Sequence, residues 1–171
     1  MRPSGTIAPM QILKRSRTVP HSPAVEARRS GIHGCGVFAR KALRGGKVIG
    51  EYAGTRYAAD EVEAVDWNNH LTYLFGLSDG SVIDGAQCGN AARHVNHACD
   101  PKAESVESHV ATGELIVTVR MLRRVRAGEE VFLDYAVVID GDDPSDDPCA
   151  CGRERCRGTL AAPAGQALVP N

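Results

Sequence analysis

Residues 89–101 read Gly-Asn-Ala-Ala-Arg-His-Val-Asn-His-Ala-Cys-Asp-Pro. Arg93, Asn96, His97 and Cys99 fall within seven residues here, more hydrogen-bonding and metal-binding capacity than a core segment uses. Pro101 then bars a helix from running on. The stretch reads as a site rather than a scaffold. Further along, Cys149, Cys151 and Cys156 form a Cys-x-Cys-x4-Cys run with no fourth partner of their own. Aspartates and Pro148 surround them, so no apolar segment is at hand in which thiols would simply be buried.

A chain of 171 residues makes one domain with a core and is short for two. The net charge of −1 gives no case for a nucleic-acid or anionic-membrane partner. Its distribution says more. Arg2, Lys14, Arg15, Arg17, Arg28 and Arg29 stand against Glu26 alone in the first thirty residues, while Asp140 to Asp147 carries five aspartates and no base. A cationic peptide is drawn to the second region and pushed from the first. No run approaches the roughly twenty apolar residues of a membrane helix, and the N-terminus lacks the apolar core of a signal peptide. A soluble chain retained inside a cell is expected. The six cysteines are lopsidedly spread, with Cys35 and Cys88 standing alone, which favours a reducing compartment over a disulfide framework.

Residues 1–25 mix Pro, Ser and Arg without period, so a flexible basic arm is expected, with at most a short strand at Met10–Leu13. Gly34 and Gly36 flank Cys35 ahead of an apolar strand start at Val37 and Phe38; a Gly-x-Gly by itself is a weak signal. Lys47–Tyr52 reads as a strand. Asp60–Asn69 reads as a short amphipathic helix capped by Asp60, with Trp67 as a lid on the core. Thr72–Leu77 and Ser81–Asp84 form a hairpin around Ser-Asp-Gly. Ala103–Ala111, Glu114–Arg120 and Glu130–Tyr135 complete a β-rich α+β pattern, which lacks the βαβ alternation of a Rossmann fold.

Asn-His-Ala-Cys-Asp-Pro, preceded by Gly-Asn-Ala-Ala-Arg and followed by Glu-Glu-Val-Phe-Leu-Asp-Tyr and then Cys-Ala-Cys-x4-Cys-Arg-Gly, resembles the SET-domain protein lysine methyltransferases that carry a post-SET zinc segment. The resemblance spans residues 31–158, and with no cysteine-rich pre-SET segment ahead of Gly31 it points to a compact, bacterial-like member. It implies a SET fold of several short, mostly antiparallel sheets with a knot-like C-terminal crossing. It also implies a division into a basic arm (1–25), a SET domain (26–138), an acidic linker (139–148), a post-SET zinc segment (149–158) and a tail (159–171). In the family the Gly-x-Gly, here Gly34-Cys35-Gly36, bonds the methyl donor S-adenosylmethionine. Arg93, Asn96 and His97 match residues that hold that cofactor. Tyr135 matches the catalytic tyrosine, and Tyr73 the tyrosine that lines the lysine channel beside the cofactor; Tyr52 is given a structural role near the site. Cys99 joins Cys149, Cys151 and Cys156 around one structural Zn2+.

Lysine can attack a sulfonium methyl only after losing its proton, at a pKa near 10.4 in water. A desolvated channel beside a cation favours the neutral amine. No strong carboxylate base is then needed, only an aromatic tube that aligns the amine, which suits Tyr73 and Tyr135. Three departures stand out. Cys35 replaces a usual aromatic residue, and Lys102 replaces an Asn. Leu133, the third channel residue, replaces Phe or Tyr and leaves room for addition beyond one methyl. The function expected is lysine N-methylation of a basic protein tail, a histone or another lysine-rich protein, in the cytoplasm or, for histone, at chromatin. The alternative is a catalytically silent SET-fold zinc module that binds protein. A Cys-His hydrolase is disfavoured because His97 and Cys99 are two apart and the sulfur is committed to zinc. Nucleic-acid binding has only the basic arm in its favour.

Overall fold

A computed structural model describes residues 22–63, 73–138 and 143–163. In chain order its strands are β1 (Val25–Arg29), β2 (Cys35–Ala39), β3 (Val48–Glu51), β4 (Thr55–Tyr57), β5 (Leu74–Gly76), β6 (Val82–Asp84), β7 (Asn96–His97), β8 (Ala103–His109), β9 (Leu115–Met121) and β10 (Glu130–Leu133), with a one-turn helix α1 (Ala59–Val62) between β4 and β5. They form three small sheets, ordered β1-β2-β10-β7, β3-β9-β8 and β4-β6-β5. Among the described strands only β10 and β7 pair in parallel. The β-rich pattern expected from the sequence is what the chain adopts.

Side-chain alternation explains the largest pairing. Along β9, Leu115, Val117, Val119 and Met121 are buried while Ile116, Thr118 and Arg120 turn outward. That is the period of two that places one face on a core. The turn before β9 closes through Gly113, whose φ of 83° only glycine adopts freely. Val37, Ile49, Val119, Met121, Val125, Val131 and Leu133 pack as the main cluster between the first two sheets. Each fully buried valine contributes about 1.5–3 kcal/mol. A second cluster, Tyr52, Leu77, Ile83, Leu115 and Val117, joins the second sheet to the third.

Several expectations change. The described helix, Ala59–Val62, begins ahead of Asp60, which lies inside its first turn; the exposed start is closed instead by Glu61, whose carboxylate accepts the Ala58 N–H at 2.9 Å. Val65, Trp67 and Asn69, like the Met10–Leu13 strand, lie outside the described residues. The strand expected from Thr72 begins at Leu74, leaving Tyr73 just ahead of it. Ala24 and Val25 are both core residues, so packing begins within the stretch read as an arm. At the other end Ala161, read as tail, is buried and bridges Val137. The strands β1 and β4 were not legible in the sequence: β1 is mostly charged, and it stands because Arg28 lies over the Phe38 ring at 3.9 Å and Val25 enters the core. No described helix is long and apolar enough to cross a membrane.

The third sheet abuts the chain just before it with no room to spare. A Cβ at Gly54 would overlap the Asp84 carbonyl and sit 2.8 Å from Gly85 N, both backbone atoms. Gly54→Ala is therefore expected to destabilise by about 2 kcal/mol and lower the melting temperature by about 4–8 °C. Gly76→Ala, where a Cβ meets nothing within 4 Å, should stay within about 0.5 kcal/mol of the parent. Thermal unfolding followed by circular dichroism compares the two.

Candidate functional site

The central stretch lies between two parts of the chain far from it in sequence. Asn90 opens a 3-10 turn at Ala91–His94: its side chain accepts the Ala92 N–H at 3.0 Å and donates to Glu51 O at 2.8 Å. The chain then enters β7, where Asn96 pairs with Phe132 and His97 with Leu133. Both Asn96 and His97 are buried. A buried amide must spend its hydrogen bonds, and Asn96 Nδ2 donates to Cys35 O at 3.0 Å, to His33 O at 3.4 Å and to Glu130 Oε1 at 2.9 Å. The amide is thereby oriented, and its nitrogen holds the Gly34-Cys35-Gly36 loop.

Glu130 and Ser30, neither foreseen, complete that support, with Ser30 Oγ donating to Glu130 Oε2 at 3.1 Å. Gly36 is required for room, since a Cβ there would strike the Glu130 carboxylate and lie 3.2 Å from Asn96 Nδ2. Gly34 is required for conformation, with φ of 44° and open space where a Cβ would stand. Cys35 carries an exposed thiol. The loop is thus a backbone cradle.

Three tyrosines converge beyond it. Tyr52 donates its hydroxyl to Tyr73 O at 2.6 Å, and Tyr135 donates its own to Val95 O at 2.9 Å. The outer edge of Tyr135 is open, with 45% of the residue exposed, while its hydroxyl end points inward. Burial of that end, and then the neighbouring Tyr73, push its pKa up to about 12. Tyr52 is raised as well, first by burial and then by Tyr135 and Asp84. The Tyr52 and Tyr135 hydroxyls therefore stay protonated at any physiological pH. Arg93 spends its guanidinium on Gly85 O at 3.1 Å, on His94 Nε2 at 3.1 Å and on the face of Tyr73, 5.5 Å from the centroid. It braces the tyrosine wall and the loop behind it. Leu133 is buried in the main cluster with Val95. Lys102 is ion-paired to Glu129.

The four cysteines come together. The sulfurs of Cys99, Cys149, Cys151 and Cys156 all lie within 4.8 Å of one another. Cys99 is 3.7 Å from Cys149 and 3.9 Å from Cys156. A disulfide would need about 2.0 Å; a zinc tetrahedron with Zn–S bonds of about 2.3 Å has edges of about 3.8 Å. The donor set thus fits zinc, and with four sulfurs it leaves no open position. Backbone N–H groups of Arg157, Cys151 and Gly158 point at the sulfurs of Cys99, Cys149 and Cys156 at 3.3–3.4 Å, as thiolate ligands require. Phe132 and Ala98 floor the cluster.

His97 links cluster and wall. Its Nδ1 accepts the Tyr135 backbone N–H at 3.1 Å, so the proton of the neutral ring sits on Nε2, 3.3 Å from Cys99 Sγ. Burial holds its pKa below the usual value against the pull of Asp134. Asp134 itself is held below the ordinary carboxylate range: burial opposes this, but the Arg157 guanidinium and the Ala136 N–H outweigh it. Asp134 and Arg157 were not foreseen, although both stood inside the motifs, as the residue before Tyr135 and the one after Cys156.

With this geometry in hand the chain can be placed. Residues 34–136 match the SET domain family, and the chain belongs to it. It is 35% identical over 153 residues to histone-lysine N-methyltransferase 2B of Homo sapiens, covering 87% of this chain and 6% of that protein. It is 32% identical over 160 residues to histone-lysine N-methyltransferase trithorax of Drosophila melanogaster, covering 91% of this chain and 4% of that one. With an H3 lysine-4 specific histone-lysine N-methyltransferase of Saccharomyces cerevisiae the identity is 34% over 137 residues, covering 77% and 13%. The chain thus spans a small part of the length of these curated relatives. Among solved structures, ctPRC2 in an autoinhibited conformation bound to S-adenosylmethionine superposes with a TM-score of 0.58 at 29% identity, covering 67% of this chain and 15% of that one.

Purified protein is expected to carry one zinc per chain by elemental analysis. Cys151→Ser should lose the metal, whereas Cys88→Ser, whose exposed thiol lies outside the cluster, should keep it.

Proposed function

We propose that this chain is a lysine N-methyltransferase that moves a methyl group from S-adenosylmethionine to a lysine on a basic protein tail, of histone type where it reaches chromatin and on a cytoplasmic protein otherwise. The observation that carries the reading is the Tyr135 hydroxyl held on Val95 O, with the backbone N–H of the same residue on His97, which faces Cys99, and the neighbouring Asn96 on the Gly34–Gly36 loop. The names of the relatives and the S-adenosylmethionine bound to the superposed ctPRC2 support it.

S-adenosylmethionine, when bound, supplies an electrophilic methyl on a sulfonium sulfur. This chain's residues do the rest. Gly34, Cys35 and Gly36 offer backbone groups to the donor. Asn96, with its nitrogen committed to the cradle, has its carbonyl oxygen left to accept from it. His97 holds Tyr135 in place through the backbone. Tyr73 and Tyr135 wall the channel, with Leu133 behind, so that the amine lone pair lines up with the methyl. With the donor bound, the substrate ammonium would lose its proton to water and its nitrogen would take the methyl, the donor leaving as a neutral thioether with the electron pair of the broken bond. Positioning and desolvation carry the rate.

The silent-module alternative predicts zinc and protein binding without transfer. Mass spectrometry of basic proteins, histones included, incubated with the cofactor decides between them. Methyl-lysine, with more than one methyl per lysine, is expected from the parent, and about a hundredfold less from Tyr135→Phe. Because Tyr135 titrates only at about 12, the single-turnover rate should climb about tenfold per pH unit from about pH 7 toward 10 as the substrate amine deprotonates, with no loss from the tyrosine in that window. Zinc-loaded protein that binds no cofactor would leave the silent module.

The 3-10 turn at Pro144–Asp146 is opened by Asp143 accepting the Ser145 N–H at 2.9 Å, and of residues 143–147 all but Asp147 are exposed just ahead of the zinc segment. We read its aspartates as a guide for the positive tail; Asp140 and Asp142 lie outside the described residues. Replacing Asp143, Asp146 and Asp147 by Asn should raise KM for a basic peptide about three- to tenfold, leave kcat in place and flatten the salt dependence. An unchanged KM at low salt would make them a solvated linker only.

A further inference from the structure

Arg157 follows the last cysteine of the cluster, yet its side chain is spent on the residue before Tyr135. Nη1 donates to Asp134 Oδ2 at 2.6 Å and Nη2 to Asp134 Oδ1 at 2.7 Å, a two-pronged pair in which both partners are largely withdrawn from solvent. Nη2 also donates to Ala161 O at 3.1 Å, and the backbone N–H of the same residue points at Cys99 Sγ, 3.3 Å away. Arg157 Nε is buried with no partner among the described residues, so the guanidinium is committed to this place by its other nitrogens.

Asp134 passes the contact on. Its Oδ1 accepts the Ala136 N–H at 3.1 Å, closing a tight turn in which Ala136 takes φ of 45°, a conformation that an alanine holds only when its surroundings enforce it. Tyr135 is the residue in the middle of that turn. From the other side the Tyr135 N–H is held by His97 Nδ1, whose Nε2 faces Cys99 Sγ. Cys99, Arg157, Asp134, Tyr135 and His97 thus form a closed ring, with a metal ligand at one pole and the tyrosine backbone at the other.

We propose that Arg157 is a positioning residue that ties the setting of Tyr135 to the metal state of the cysteine cluster. Four cysteines drawn together by zinc hold the Arg157 backbone against Cys99; its fork then holds both oxygens of Asp134, and the turn fixes where the Tyr135 hydroxyl points. A lysine cannot substitute, since a single ammonium does not grip both oxygens in one plane. The link to turnover rests on the methyl-transfer reading; the mechanical coupling does not.

The test uses the full chain with one zinc bound, its chelator-treated form, and Arg157→Ala and Arg157→Lys. The readout is hydrogen exchange of the Tyr135 amide by NMR, alongside zinc content. In the parent, zinc removal should speed exchange about tenfold or more. In zinc-loaded Arg157→Ala and Arg157→Lys the amide should already exchange fast, and zinc removal should add less than about twofold. With the cofactor dissociation constant unchanged, kcat should fall about tenfold. An equal zinc response in parent and variants overturns the proposal, as does loss of zinc from both variants, which would make Arg157 a frame for the metal alone. Should the Arg157 variants fail to fold, Asp134→Asn, which keeps the shape and breaks the fork, gives the same reading, and a full zinc response there overturns it. A parent that transfers no methyl but retains the coupling supports the ring and removes the methyl-transfer reading.

Discussion

Two residues of β7 against two of β10, the only parallel pairing among the described strands, hold the molecule's chemistry together. Antiparallel neighbours can be joined by a tight turn, but parallel ones need a long excursion between them. Here the excursion is the whole of β8 and β9. Its completion sets Asn96 beside Glu130, His97 beside Leu133 and, one residue on, the Ala98 N–H on Leu133 O at 2.8 Å. The tyrosine wall, the glycine cradle and the cysteine cluster all hang from this short contact.

Polar groups around the contact are buried in a chained order in which each partner's orientation depends on the last. Glu130 orients the Asn96 amide and crowds Gly36; Asn96 holds the carbonyl of Cys35; His97 offers one nitrogen to a backbone N–H and the other to a sulfur. A network of this kind is costly if half satisfied and rigid when complete. It explains why an α+β domain with so few helices can keep an exposed tyrosine in one place. The exposed edge of Tyr135 faces solvent, while its hydroxyl and backbone are both held from behind.

Much of this was legible in the sequence, and the reasons differ by element. The alternation of Leu115 to Met121 announces a strand because one face meets a core. The Cys-x-Cys-x4-Cys run announces a ligand set because thiolates around zinc come in fours. By contrast β1 was hidden: Glu26, Arg28 and Arg29 show only charge, just past the stretch read as an arm, and only the partner strand makes Val25 a core residue and Phe38 a seat for Arg28. The cap at α1 escapes a sequence reading because the carboxylate that closes it comes from three residues inside the helix rather than from its threshold. Glu130, Asp134 and Arg157 sat in plain view within the motifs, but their importance lies in contacts between residues 23 to 34 apart in the chain, which no local pattern encodes.

The separation of the cysteines also bears on how the molecule is made. Cys99 and Cys156 stand 57 residues apart, with the strands β8, β9 and β10 between them. On the ribosome, the first ligand emerges and waits while β8, β9 and β10 are still being synthesised. The sheets can pair before the metal has anywhere to go, and the last wall around Tyr135 closes only after Arg157 leaves the exit tunnel. Assembly thus runs from scaffold to site in the order of translation, and a chain cut short before residue 156 would display the tyrosines without the clamp that sets them.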